Sequence, residues 1–402
     1  MSVHAFGYRH SAVRGDRWAG TAVARFVSDR FLLLPIGAIL ALLWANTAGE
    51  SYFRFSQGAS FLVNEVLMAM FLGLIAQELF EALMPGGALD TWRRWTLPVV
   101  AAVGGSLGAA GVYLTYVLVK HESVLVTAWP IACAIDVAAA YYVVKTIVPR
   151  SPAIPFVLLL AAVSDTVGLA VVAWQSTALT LDPAPWLLGL SALAFAALLR
   201  RWGCSSFWTF LVFCGSPLWL AFYRGGLHPA LCLVPLVPFL PRQPRPREVF
   251  EDLGDDTPVH AFEHEWNHAV QAVLFLFGLV NAGVLLHGYG TGTWAMLTAA
   301  LVGRPVGIAV ALFGAHLCGL RLSPLLNWRH AVVIAFATSS GFTFALFFAT
   351  SALPLGPILG EIKLGALATV TGAGLAFVAG RWLGLGTTGR DRQQLVASAE
   401  VS

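Results

Sequence analysis

The chain has 402 residues, of which 58% are hydrophobic and only 11% are charged, and its mean hydropathy is +0.75. This composition excludes a water-soluble globular protein of the same length. It predicts a polytopic membrane protein whose immediate partner is membrane lipid.

Long apolar stretches recur along the chain, separated by short polar segments. Most of them reach the roughly 17 to 25 residues that a helix needs to cross a hydrocarbon core. The predicted fold class is therefore an all-α polytopic membrane protein with about twelve transmembrane helices. The twelve predicted spans are 31–44, 61–84, 95–119, 124–144, 154–178, 186–199, 207–222, 227–240, 269–286, 294–313, 331–352 and 358–383.

The distribution of basic residues predicts the orientation, because cytoplasmic connections accumulate Lys and Arg. With a cytoplasmic N-terminus, 19 of the 24 basic residues fall inside, three outside and two within spans. We therefore expect a cytoplasmic segment at 1–30, a transmembrane domain at 31–383 with a cytoplasmic loop at 241–267, and a cytoplasmic tail at 384–402. The same bias explains the net charge of +3, so no nucleic-acid partner is expected.

Three charged residues lie inside apolar runs, far from the ends of those runs: Asp136, Asp165 and Arg304. A single charge at the bilayer centre costs at least about 2.5 to 3.5 kcal/mol on insertion scales. Residues retained at that cost are by default candidates for a functional site.

The fourth and eleventh spans contain helix-breaking interruptions. Pro130 precedes Asp136 in the fourth span, and a polar, Gly-containing stretch at 338–343 interrupts the eleventh. Unwound backbone at membrane depth is tolerated only where it lines a protein-buried or wet cavity. The predicted discontinuities lie at Ala134 and Ile135 in the fourth span and at Ser340 and Gly341 in the eleventh.

Helix ends exposed at such breaks carry about half an elementary charge, positive at N-termini and negative at C-termini. We expect Asp136 to compensate the N-terminal ends and Arg304 the C-terminal ends. Interrupted spans in corresponding positions of two halves indicate the substrate site of an inverted-repeat transporter.

Several short motifs, taken together and in order, carry a resemblance to a known family. Residues 64–69 read N-E-V-L-M-A, residues 281–284 read N-A-G-V, residues 303–308 read G-R-P-V-G-I, and residues 341–343 read G-F-T. The chain resembles the NhaA family of bacterial sodium/proton antiporters from about residue 31 to residue 383. The resemblance implies a two-domain, twelve-helix fold with inverted repeats and two discontinuous crossing helices, located in the bacterial inner membrane. It also implies exchange of Na⁺ or Li⁺ for H⁺ by alternating access, with no other cofactor and no enzymatic activity, and a homodimer as the default assembly.

Three positions depart from the motifs of that family. Ile135 replaces a threonine before the first aspartate, Ser164 replaces the first of two adjacent aspartates, and Arg304 replaces a lysine. A guanidinium does not deprotonate at accessible pH. Asp165 is therefore the only family carboxylate left in the fifth span to bind the cation.

The predicted ion site follows from this single acid. Asp165 would hold either a proton or Na⁺, with Ser164, Thr166, Asp136 and broken-helix carbonyl groups supplying further oxygen ligands, which hard cations prefer. One titrating acid beside a permanent cation predicts one ion exchanged per proton, hence electroneutral exchange.

The resemblance also implies a pH-responsive cation funnel at the cytoplasmic side, formed by Glu78, Glu263 and His264. Both residue types titrate or attract cations. Solvated surface charges are an equally open interpretation of these three positions.

Two other classes of function are open alternatives. Residues 264–268 read H-E-x-x-H, the helical zinc signature of metalloproteases, but no distant acidic ligand motif accompanies it, so no zinc site and no catalytic residue are expected. Alternatively, the chain is an NhaA-fold protein that acts as a sensor or assembly subunit or moves another solute. Asp165 and Arg304 would then form a structural buried pair.

Overall fold

A computed structural model describes residues 33–83, 92–149, 151–175, 182–204, 206–240, 271–320 and 326–385. Within helices, the side chains of some residues, including Glu78 and Asp165, lie outside this description. Throughout the described ranges every regular element is a helix and there is no β-strand. The predicted all-α membrane class is confirmed at this level. The loop at 241–267, the N-terminal segment at 1–30 and the tail from residue 386 onwards lie outside the described residues.

The first half of the described chain contains nine α-helices. They are α1 (Leu33–Thr47), α2 (Gly49–Phe61), α3 (Met68–Leu83), α4 (Trp92–Val119), α5 (Val137–Ile147), α6 (Ala153–Gln175), α7 (Pro183–Arg201), α8 (Phe207–Phe210) and α9 (Ser216–Gly225). Short π-helical segments join α2 to α3 over Leu62–Leu67 and α8 to α9 over Leu211–Gly215. A 3₁₀-helix, Ser123–Cys133, precedes α5.

The second half of the described chain adds seven α-helices. They are α10 (Gln271–Asn281), α11 (Thr291–Thr298), α12 (Arg304–Leu317), α13 (Trp328–Ala337), α14 (Phe342–Ala352), α15 (Pro357–Ala368) and α16 (Thr371–Trp382). A π-helical segment, Ala299–Gly303, joins α11 to α12 in one long helix that ends at Leu317.

Five helical runs of the described chain are long and apolar enough to cross a membrane. They are Gly49–Gly73, Trp95–Val119, Pro183–Arg201, Thr291–Leu317 and Pro357–Trp382. A sixth candidate is the pair α13 and α14, which bend by 42° at a short break. These helices are consistent with a multi-pass membrane protein.

Two predicted segments differ from the structure. The sequence predicts a second span that begins at residue 61, whereas in the structure a helix already begins at Gly49. The buried Tyr52 anchors this helix, because its hydroxyl donates to the Val280 carbonyl oxygen over 2.9 Å. The eighth predicted span, 227–240, forms only the 3₁₀-helices Pro229–Leu231 and Val234–Phe239. Its three prolines lack amide donors and therefore block a continuous α-helix.

The most extensive helix contact of the described structure joins α4 to α12. Glycines make this contact possible. A Cβ atom on Gly108 would lie 2.3 Å from the Gly303 carbonyl oxygen, and one on Gly307 would lie 2.2 Å from the Gly104 carbonyl oxygen. Because the backbones approach so closely, α12 is held in a defined position against α4, and Arg304 lies at its first turn.

The close approach predicts a position-specific effect of adding one methyl group. We expect Gly108→Ala to destabilise the protein by about 1–3 kcal/mol, because overpacking forces the backbones apart. Gly111→Ala, on the same helix with open space around its Cβ position, is the matched control and should be neutral or slightly stabilising. Thermal unfolding in detergent measures both. Equal melting temperatures for the two variants would contradict the proposed close packing.

Candidate functional site

The two interrupted spans meet at their breaks. The fourth is broken between Cys133 and Val137, and the eleventh between Ala337 and Phe342. The Asp136 amide donates to the Ser340 carbonyl oxygen over 2.8 Å. A Cβ atom on Gly341 would lie 2.3 Å from the Ala134 carbonyl oxygen, so no larger residue fits there without a shift.

Asp136 occupies the N-terminal ends of two helices at once. One carboxylate oxygen, Oδ1, accepts from the Ala139 amide over 3.0 Å in the first turn of α5. The other, Oδ2, accepts from the Thr343 hydroxyl over 2.5 Å in the first turn of α14. The residue is 5% exposed. A buried negative charge therefore lies where two positive helix ends converge, which is electrostatically favourable.

Arg304 occupies the opposite kind of helix end. Its Nη2 atom donates to the carbonyl oxygens of Ala134 over 2.9 Å and Ala132 over 3.3 Å, at the end of the 3₁₀-helix. The side chain is 1% exposed. These carbonyl groups have no helical partner beyond the break, so a cationic donor satisfies both hydrogen bonding and the negative helix end.

Hydroxyl groups bind the carbonyl oxygens at the C-terminal end of α13, the other helix that ends at a break. The Thr338 side chain donates to the Ile334 carbonyl oxygen over 2.9 Å, and the Ser339 side chain donates to the Ala335 carbonyl oxygen over 2.9 Å. Both residues are fully buried. The end of α13 is therefore closed by neutral donors.

Two threonines of this site are not among the residues predicted from the sequence. Thr343 belongs to the G-F-T motif, and its place in the first turn after Gly341 is the available signal. Thr369, between α15 and α16, accepts from the Gly341 amide over 3.2 Å. No sequence signal marks Thr369, because it is one of two nearby threonines in another apolar span, 28 residues from Gly341.

Helix α6 packs against both halves of the broken eleventh span. It carries Ser164, which is 5% exposed, and Asp165, whose side chain lies outside the described residues. Thr166 is exposed, and its hydroxyl donates to the Ala162 carbonyl oxygen of the same helix over 2.8 Å. These observations do not place Thr166 at the breaks, and its role as an ion ligand stays a prediction.

The remaining predicted residues lie outside the description. The side chain of Glu78, residues Glu263 and His264, and the H-E-x-x-H segment at 264–268 are among them. The cytoplasmic funnel therefore stays a prediction. Among the residues that the structure describes, no three His, Cys, Asp or Glu side chains are grouped to hold a metal ion.

The oxygen chemistry at the breaks suits a hard cation as cargo. The Ser164 and Ser340 hydroxyl groups are buried and have no hydrogen-bond partner within the described part of the chain. Hydroxyl, carbonyl and carboxylate oxygens are the ligands that such cations prefer over nitrogen or sulfur. The two helix ends and their buried charges define the architecture of secondary transporters built around discontinuous helices.

Comparisons with known proteins name the family. A sequence model of the family described as Na+/H+ antiporter 1 matches residues 27–383. The chain is 37% identical over 357 residues to the Na(+)/H(+) antiporter NhaA 1 of Pelobacter propionicus, covering 86% of this chain and 94% of that protein. It is 36% identical over 366 residues to the Na(+)/H(+) antiporter NhaA of Geotalea uraniireducens, covering 88% and 94%. The chain belongs to the Na+/H+ antiporter 1 family, and the predicted resemblance to NhaA is confirmed.

A solved structure shows the same fold at greater distance. The sodium proton antiporter MjNhaP1 of Methanocaldococcus jannaschii matches with a TM-score of 0.54 at 17% identity, over 90% of this chain and 95% of that one. At this identity the likeness concerns the fold alone. These relatives carry the names of transporters, in agreement with the prediction that the chain is not an enzyme.

The role of Arg304 at the break predicts a loss of stability when its charge is removed. Arg304→Met leaves the carbonyl groups of Ala132 and Ala134 without a donor, at about 1–3 kcal/mol each. Arg304→Lys keeps the charge and should retain most of the stability. Thermal unfolding of the purified variants in detergent is the measurement. A methionine variant as stable as the wild type would contradict the compensation of the helix end.

Proposed function

We propose that the protein exchanges Na⁺ or Li⁺ for H⁺ by alternating access, as the names of its relatives suggest. The observation that carries this proposal is the contact between two broken spans whose helix ends are satisfied by Asp136 and Arg304. We call this contact, between residues 134–136 of the fourth span and residues 338–341 of the eleventh, the junction. Such a junction supplies oxygen ligands at membrane depth without exposing unpaired backbone groups to lipid. It lies against α6, which carries the third charged residue of the apolar runs, Asp165.

Asp165 is the proposed exchange site. It follows the buried Ser164 in α6, a helix that packs against both halves of the eleventh span. A carboxylate in such a position holds either a proton or an alkali cation, because either ligand neutralises its charge. Competition between the two ligands for one acid couples their fluxes without a second titrating group.

The other two charged residues have different proposed roles. Both oxygens of Asp136 accept hydrogen bonds from helix N-terminal groups, so this carboxylate is engaged in holding the junction. Arg304 keeps its proton at every accessible pH. A single titrating acid then exchanges one Na⁺ for one H⁺, and the full cycle moves no net charge.

Alternating access is proposed to move two packed bodies relative to each other at the junction. Ile135 of the fourth span and Ala337 of α13 belong to a buried cluster that includes Leu160 of α6. Ala134 and Phe342, which also lie at the two breaks, belong to a second, larger cluster that contains residues of α1, α10 and α11. Rocking of one packed body against another around a fixed ion site is the usual mechanism for folds with discontinuous helices.

The proposed roles predict unequal effects of neutralising the two acids. Asp165→Asn should abolish cation-dependent proton flux in proteoliposomes, because the variant cannot alternate between its two ligands. Asp136→Asn should only weaken transport, since an amide oxygen still accepts one of the two hydrogen bonds. Full activity of Asp165→Asn would contradict the exchange site. A folded wild type without any pH-driven Na⁺ or Li⁺ flux would favour a non-transporting sensor or assembly subunit.

The stoichiometry makes a separate prediction about voltage. Steady-state Na⁺/H⁺ exchange in proteoliposomes should be insensitive to a membrane potential imposed with valinomycin and K⁺. At 100 mV, moving one net charge per cycle would change the driving force by about 2.3 kcal/mol. A clear dependence of the steady-state exchange rate on that potential would rule out electroneutral exchange.

A further inference from the structure

Ser340 differs from its neighbours in the break of the eleventh span. Thr338, Ser339 and Ser340 are all at most 1% exposed. The first two donate their hydroxyl groups to carbonyl oxygens of α13. The Ser340 hydroxyl has no hydrogen-bond partner in the part of the chain that the structure describes. A buried hydroxyl left in this way costs about 1–3 kcal/mol, so it indicates a ligand.

The backbone of Ser340 is fixed at the centre of the junction. Its carbonyl oxygen accepts from the Asp136 amide, and the next residue, Gly341, packs against the Ala134 carbonyl. The start of α14 follows immediately, with Thr343 bonded to the Asp136 carboxylate. Ser340 therefore lies beside the residue that receives both helix N-termini.

Helix α6 carries a second buried hydroxyl that lacks a hydrogen-bond partner among the described residues. Ser164 is buried, and its Oγ atom has no hydrogen-bond partner among the described residues. Leu160, one turn earlier, belongs to the buried cluster that contains Ile135 and Ala337 from the two broken spans. Residues four apart share a helix face, so Ser164 lies on the face of α6 that packs towards the junction.

The residue that precedes Asp136 at the break of the fourth span is apolar. Ile135, immediately before Asp136, is 1% exposed and contributes only a hydrocarbon side chain. The two oxygens of Asp136 are already hydrogen-bonded to Ala139 and Thr343. An alkali cation at this junction needs neutral oxygen ligands from elsewhere, and Ser340 carries one at the facing break.

We propose that the Ser340 hydroxyl is a direct ligand of the transported cation, acting with Ser164 in place of the hydroxyl that Ile135 cannot provide. The inference rests on the proposed cation exchange and adds a residue that determines its affinity. The eleventh span then contributes a side-chain oxygen as well as its helix end to ion binding. Asp165 remains the group at which proton and cation compete.

The test compares three variants by the apparent KM for Na⁺ and Li⁺ in proteoliposomes and by calorimetric Kd for Na⁺ with the purified protein. Ser340→Ala should raise both constants about tenfold, the loss expected for one interaction with a charged group, with little change in maximal rate.

Ser339→Ala is the matched control, because it removes an equally buried hydroxyl that bonds within its own helix. It should leave both constants unchanged. Ser340→Cys keeps the side-chain volume but offers sulfur, a poor ligand for a hard cation, and should weaken binding as the alanine variant does.

A double variant tests whether the two breaks share the ion. Ser340→Ala combined with Ile135→Thr should recover part of the lost affinity, since the hydroxyl returns on the facing break. Absence of recovery would contradict the shared site.

Two results would overturn the inference. One is wild-type affinity in Ser340→Ala and Ser340→Cys, which would mean that the hydroxyl binds water or nothing. The other is an equal loss in Ser339→Ala, which would show a general packing effect. A wild type that neither binds nor exchanges Na⁺ or Li⁺ would instead refute the proposed function itself. Normal exchange together with an unaffected Ser340→Ala would refute only the role of Ser340.

Discussion

The structure depends on one constraint: a backbone that unwinds inside a membrane must find hydrogen-bond partners within the protein. Two apolar spans unwind at the same place, and each break provides part of what the other lacks. The Asp136 amide donates to the Ser340 carbonyl, while Gly341 allows the two chains to touch. The junction is a closed arrangement of polar groups inside an apolar protein.

Charged side chains and hydroxyl groups satisfy the helix ends at the two breaks. Asp136 accepts hydrogen bonds at the positive N-terminal ends of α5 and α14, and Arg304 donates to carbonyl groups at the negative C-terminal end of the 3₁₀-helix. Thr338 and Ser339 close the other C-terminus without charge. These groups are engaged within the protein, whereas the Ser164 and Ser340 hydroxyls have no hydrogen-bond partner among the described residues. They and Asp165 are the groups to which we assign the ion in our proposal.

The arginine links the packing of the membrane helices to this chemistry. The glycines of α4 and α12 bring the helix axes close, and the stem of Arg304 lies beside Gly105, where a Cβ would approach its Cγ to 3.5 Å. The same side chain then reaches the carbonyls of the broken fourth span. A permanent cation in this position stabilises the junction but cannot take part in proton exchange. Both departures from the family motifs, Arg304 and Ser164, therefore agree with the proposed exchange at a single acid.

Much of this follows from the sequence. Composition and the length of the apolar runs indicated an all-α membrane protein, because runs of about 17 to 25 apolar residues suit helices that satisfy their backbone groups within the segment. Pro130 followed by Asp136, and the polar, Gly-containing stretch at 338–343, located both breaks, since such combinations are unusual within a continuous apolar helix. The ordered motifs between residues 64 and 343 identified the family.

Only the tertiary structure decided which groups meet. The helix that precedes the predicted second span begins at Gly49, and its Tyr52 hydroxyl bonds to a carbonyl oxygen of α10. Three prolines prevent a regular α-helix where the eighth span is predicted. Thr166 is exposed whereas Ser164 is buried, because residues two positions apart on a helix point about 200° apart. Thr369 and the unpartnered hydroxyl of Ser340 carry no local signal. The sequence determines where the chain is polar, whereas the packing of distant helices determines which of those polar groups are already satisfied and which remain available to bind an ion.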